Sequence, residues 1–180
     1  MNISKLIFFP ESTSAKDTST KILNTLAQYK FINSENHETS HYLPGEHFLN
    51  LITFLGCSPN INLHPTEGEN HCYISLIEHT EEVKCVGYTL TAKPKCPACK
   101  KRITDWELTD LKSPENFCTC DKCQHKTVYA DLNWKNECGF ARFGFTVNNI
   151  YPHEAVPSEQ LLDILQQASG YKWQYCYTNN

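Results

Sequence analysis

The residues with the clearest chemical potential in this chain are four cysteines set as two pairs. They are Cys96-x2-Cys99 and Cys120-x2-Cys123, with twenty residues between the pairs. A two-residue gap lets the backbone fold into a tight knuckle that aims both sulfurs at one point. Two knuckles supply four thiolates, the closed tetrahedral shell that zinc takes in structural sites. The intervening length lies at the upper end of the spacing that such pairs use for zinc. Thiolate is too soft a ligand to favour Mg²⁺ or Ca²⁺. An iron–sulfur centre shares the ligand type, but paired knuckles at this spacing favour zinc. The expectation is one structural Zn²⁺ per chain on Cys96, Cys99, Cys120 and Cys123. A closed shell leaves no position for water or substrate, so no catalytic residue is assigned to the metal.

The second cluster, "FCTCDKCQH", carries a further cysteine, Cys118. It lies too close to Cys120 to form a two-residue-gap knuckle with it and reads as the spare, a buried strand thiol. The alternatives are a substitute ligand or a redox-sensitive thiol whose pKa is lowered by Lys122 and Lys126. His125 reads as an exposed loop histidine, with an outer-shell or substitute ligand role as the alternative. Over residues 94–125 the chain resembles the zinc-ribbon family, on "CPAC", with Pro97 after the first cysteine, and "CDKC". Zinc ribbons often place glycine after the second cysteine of a knuckle, where this chain has Lys100 and Gln124. The wider pattern is "CPAC" with Trp106 seven residues on, "CDKC", an aromatic strand, and "PHEAVPSEQLLDIL" before an aromatic C-terminus. It resembles small bacterial proteins of unassigned role, a resemblance that implies no activity.

Charge is uneven. Residues 93–126 hold eight Lys/Arg against five Asp/Glu, a local +3, while the remainder holds eight against fifteen, a net −7. Lys93, Lys95, Lys100, Lys101 and Arg102 gather around the first knuckle. One reading is that they offset the negative zinc–thiolate centre; the other is a small basic contact for nucleic acid or an acidic protein. Trp106 reads as a core side chain, with base stacking as its alternative. A whole-chain fit to a nucleic acid backbone is not expected at a net charge of −4.

These residues need a scaffold, and 180 residues with 40% hydrophobic content suffice for one domain with a real core. Lys5 to Phe9 reads as a strand ended by Pro10. A helix capped by Thr18 or Ser19 carries Ile22, Leu23, Leu26 and Tyr29 at helical spacing. A second helix is expected from Glu46 to Leu55, with Gly56 as its C-terminal cap. Residues 33–44 and 57–70 read as loops and turns. "CYISLIE" (72–78) and "EVKCVGYTLT" (82–91) alternate and suggest a hairpin with each other. Residues 127–132 and 141–150 are further strand candidates. Ser158 is an N-cap for a helix with Leu161, Leu162, Ile164, Leu165 and Ala168 as its buried stripe, ended by Gly170. "YKWQYCYT" closes the chain as a strand. The order implies an α+β fold, a mainly antiparallel sheet with three helices: a single domain over 1–180, with the zinc ribbon inserted at 93–126.

No phosphate-binding glycine loop, dinucleotide fingerprint, nucleophile elbow or H-E-x-x-H occurs. His64, His71 and His79 near Cys57, Cys72 and Cys85 lack ligand-like spacing, and these cysteines read as small core residues. A Cys/His catalytic pair, such as Cys138 with His153, is left open by the sequence. Arg142 is expected to bind an acidic group if exposed and to pair with a carboxylate if buried. The apolar run Leu6-Ile7-Phe8-Phe9 is too short for a secretory or membrane-spanning segment, so the chain is expected to be soluble and cytoplasmic. The expectation for function is a zinc-stabilised module, not an enzyme, that binds another protein in an adaptor, regulatory or immunity-type role. Nucleic acid binding through the basic knuckle, and an enzyme with a site away from the zinc, are the alternatives.

Overall fold

Strand β1 (Lys5–Pro10) is buried from its second residue to its last. Alternation alone buries one face of a strand, so two layers must cover this one. The structure, a computed structural model, describes residues 4–33, 41–55, 61–65, 70–151 and 154–178. The remaining strands are β2 (His41–Tyr42), β3 (Ile52–Phe54), β4 (Tyr73–Ile77), β5 (Lys84–Tyr88), β6 (Phe117–Thr119), β7 (Lys126–Val128), β8 (Cys138–Ala141), β9 (Gly144–Asn148), β10 (Ala155–Pro157) and β11 (Trp173–Thr178). The helices are α1 (Ser19–Gln28), α2 (Phe48–Leu51) and α3 (Glu159–Ser169). Every named strand pair is antiparallel, and the fold is the expected α+β class.

The central sheet runs β11-β1-β9-β4-β2. Leu6 and Phe8 of β1 join Phe145, Val147 and Tyr177 on one face, against Ile22 and Leu26 of α1 and Leu161, Ile164 and Leu165 of α3. Phe8 stacks on Phe145 with ring centroids 4.6 Å apart. Ile7, Phe9 and Cys176 point to the other face, where β5 and β8 form a two-stranded sheet against it. Gly87 and Gly139 are direct cross-strand partners in that pair. A Cβ on Gly87 would lie 2.4 Å from Ile7 Cδ1, and one on Gly139 2.4 Å from the Phe9 ring. Only residues without a side chain let β5 and β8 approach β1 this closely.

The clearest local signals hold. Ser158 Oγ accepts the Leu161 amide at 3.2 Å, and Gly170 takes the left-handed cap at φ 80°. Elsewhere long-range pairing overrides the local pattern. The expected helix 46–55 is four residues long: Ile52–Phe54 leaves it to pair with Ala155–Pro157. Its β-branched and aromatic residues suit a strand once a partner is present. Gly56 lies outside the described residues. The 72–78 and 82–91 segments do not pair with each other, since β4 lies between β9 and β2 while β5 pairs with β8. The strand expected within 141–150 is β9 (Gly144–Asn148), preceded by β8, which ends at Ala141, and β2 lies in a stretch expected to be loop. The cap of α1 also differs. Thr18 Oγ1 makes no hydrogen bond, and Asp17 accepts from the Ser19 amide and hydroxyl instead, at 2.9 and 2.6 Å. Tyr29, which recurs at helical spacing with Ile22 and Leu26, follows the end of α1 and is exposed.

Between β5 and β8 the chain builds a second cluster. Val83, Ile103, Leu111, Leu132, Trp134 and Phe140 gather there with Cys96, Cys118 and Cys120. Among the described residues no helix is long and apolar enough to cross a membrane.

Candidate metal centre

Each knuckle closes through the same two backbone hydrogen bonds. The Cys96 amide donates to Lys101 O at 2.8 Å and the Lys100 amide to Cys96 O at 3.0 Å. The Cys120 amide donates to His125 O at 2.9 Å and the Gln124 amide to Cys120 O at 2.8 Å. Both turns need a left-handed residue just after the second cysteine. Lys100 takes φ 63° and Gln124 φ 60°, the positions where zinc ribbons often have glycine. Departure from glycine therefore leaves the knuckle geometry intact, at a conformational cost of about 1–2 kcal/mol per residue. Strands β6 and β7 carry the second knuckle as a hairpin, with Cys118 opposite Thr127. The first is braced by the bridge between Lys95 and Arg102 and by the Ile103 amide donating to Pro94 O.

This folding brings the sulfurs of Cys96, Cys99, Cys120 and Cys123 within 4.8 Å of one another. The Cys96–Cys123 and Cys99–Cys120 sulfurs are each 3.7 Å apart. In each knuckle the first cysteine is buried, Cys96 and Cys120, while Cys99 is half-buried and Cys123 exposed. Four converging sulfurs can hold a metal ion, and their softness fits Zn²⁺. The electrostatics agree. Hydrogen bonding from the Cys99 amide, against the opposing effect of burial, brings the Cys96 thiol down to about 7. At Cys123 the His125 amide favours the thiolate, but burial and the three other sulfurs push the thiol up to about 12. Four thiols this close raise the cost of ionising all of them together, a cost that a bound cation would offset.

Cys118 stays apart from these sulfurs. It is buried in β6, and burial pushes its thiol up rather than down. The lysines expected to activate it are engaged elsewhere: Lys122 pairs with Asp121 at 2.8 Å, and the Lys126 ammonium sits 4.4 Å above the Phe117 ring. The His125 side chain is exposed. Trp106 meets Trp134 edge-on at 5.0 Å, so its ring serves the insert's core. His64, His71 and His79 join no metal-ligating cluster among the described residues. Cys57 and His153 lie outside the described residues. Cys138, the proposed partner of His153, is buried with its sulfur 3.8 Å from that of Cys85, and burial pushes its thiol up. Buried Cys72 is likewise pushed up, to about 12. Arg142 is half-buried and its Nε is buried without a hydrogen-bond partner. Neither sequence expectation for Arg142 anticipates that arrangement.

The basic cluster divides. Lys100 Nζ donates to Pro97 O at 2.6 Å and caps its own knuckle. Lys93, Lys95 and Arg102 turn into a cleft of about 490 Å³, which they line with Lys135, Asn136 and Glu137. Sequence reasoning missed Lys135, which lies far along the chain and carries no motif; its left-handed φ of 55° appears only in the fold.

Comparison with known protein families, with characterised proteins and with solved structures finds no match for this chain.

Proposed function

We propose that the chain is a zinc-stabilised cytoplasmic protein that acts by binding another protein, in an adaptor, regulatory or immunity-type role, and not as an enzyme. The observation that carries this reading is the mutual approach of four sulfurs within 4.8 Å. Four thiolates complete a tetrahedral Zn²⁺ shell, so the metal clasps the insert and offers no open position to a substrate. The clasped insert and its approach expose large apolar side chains: Leu90 at 75%, Phe117 at 65% and Leu108 at 44%. Side chains of this size left in water suit a protein contact better than a phosphate backbone.

Metal analysis of the purified protein is expected to give about one zinc per chain; near-zero zinc, with disulfides in its place, would sink the clasp. The partner reading is tested by affinity capture from the native cell with mass spectrometry, comparing wild type with a Leu108→Asp/Phe117→Asp variant. A protein retained by the first and lost by the second, at equal zinc content, supports it. Equal capture by both, or recovery of nucleic acid alone, overturns it.

A further inference from the structure

We infer that the cleft between the first knuckle and the 133–137 segment is a binding site for a compact oligophosphate anion, the chemistry shared by inorganic polyphosphates and the phosphate tails of nucleotides. The inference requires no protein partner, but it uses the shape of the clasped insert, since Lys95 and Arg102 flank the first knuckle.

Three observations converge on it. The first is charge without compensation. Lys93, Lys95, Arg102 and Lys135 line the cleft with Glu137 as the one carboxylate. That carboxylate already accepts the Lys93 amide at 3.1 Å, and among the described residues none of the four cations is ion-paired. Like charges gathered in a concave wall focus a positive potential and are relieved by a multivalent anion. The second is that the cations are fixed by backbone rather than hung on free loops. Lys95 exchanges both amide–carbonyl hydrogen bonds with Asn133, each 2.9 Å, and bridges Arg102 on its other side. Asn133 Oδ1 then accepts the Lys135 amide at 3.1 Å, and Lys135 is held in a left-handed backbone that disfavours any residue but glycine. The third is size and chemistry. About 490 Å³ is the volume of a small-molecule site. No aromatic side chain lines it, so the anion is what it recognises, not a base. Arginine's planar fork suits phosphate oxygens, and lysines add point charges. The net −7 outside residues 93–126 disfavours a long polyanion running onward over the surface.

The test is calorimetric titration of zinc-loaded protein, without Mg²⁺ and at low salt, with inorganic triphosphate, with a nucleoside triphosphate and with single-stranded DNA. Zinc is assayed in every sample, so failure of the clasp and failure of the cleft are distinguishable. The expected result is one-to-one binding of both triphosphates with similar affinity, weakening as salt rises. Arg102→Ala and Lys135→Ala should each weaken it roughly tenfold at unchanged zinc content, while Lys126→Ala leaves it unchanged. No triphosphate binding, nucleoside triphosphate binding alone, tighter binding of DNA, or affinity indifferent to Arg102→Ala and Lys135→Ala would each overturn the inference.

Discussion

Two regions of this molecule solve the same problem by different means. The central sheet buries large aromatic side chains, Phe8, Phe31, Phe48, Phe143 and Phe145 among them, between regular elements. The cysteine-rich region between β5 and β8 has hairpin strands of three residues each, turns of 3-10 helix at Leu108–Lys112 and Tyr129–Asp131, and a smaller apolar cluster interleaved with cysteines. Where regular structure is long enough, apolar burial supplies the stability. Where it is short, four cysteine sulfurs converge within 4.8 Å and could hold a metal ion. The difference teaches that the candidate metal centre lies where the chain has least core of its own, the place where a bound cation would add most.

The sharpest break of that comparison is metal removal. Chelation, or Cys120→Ser, should abolish hydrogen-exchange protection across 93–126 while amides of β1 and β9 stay protected. Structural zinc supplies on the order of 10–16 kcal/mol of apparent binding energy in finger peptides. If β1 and β9 lose protection too, the two regions form a single cooperative unit. Cys118→Ser should keep a full zinc complement, because that sulfur stands outside the cluster. Next in size, Phe145→Ala should destabilise global unfolding in urea by about 3–5 kcal/mol at unchanged zinc content.

Gly139→Ala probes the seam where β8 lies on β1. Its Cβ would meet the Phe9 ring at 2.4 Å, and overpacking of this kind costs about 1–3 kcal/mol. Alkali tests the buried groups of the sheet. Cys72 is raised from 9.0 to about 12 and Tyr177 from 10.0 to about 12, both chiefly by burial. The unfolded chain loses these protons first, so their contribution is present below pH 9, falls as pH rises from there, and is lost near pH 12. The free energy of unfolding, followed in urea at each pH, should fall by no more than about 1.4 kcal/mol per group for each pH unit. The smallest effect should have the opposite sign. Lys100→Gly or Gln124→Gly should raise the insert's stability by about 0.5–1 kcal/mol by relieving the left-handed turn, read as slower zinc release to a chelator.

How much of this was legible depends on the range over which each feature is specified. The knuckles and the caps of α3 are written within a few residues; the structure brings the four knuckle sulfurs together and leaves Cys118 outside that group. Helix 46–55 and the 72–91 hairpin were misread because Ile52–Phe54 and β5 are claimed by distant strands, β10 and β8. Local periodicity cannot register such partners. Arg142 and Lys135 were misjudged or missed for the same reason: burial and cleft membership belong to no motif.

By itself the sequence determined the four converging cysteines, the sign and place of the basic cluster, the α+β class and the last helix. Each depends on spacing or capping, which short stretches of covalent chain enforce. Tertiary structure alone decided that β5 pairs with β8 across paired glycines, that Lys122 and Lys126 are engaged away from Cys118, and that Lys135 meets Lys95 and Arg102 at one cleft. Those outcomes depend on which distant segments win the competition to cover both faces of β1. That competition is settled by summed burial and backbone pairing over the whole chain.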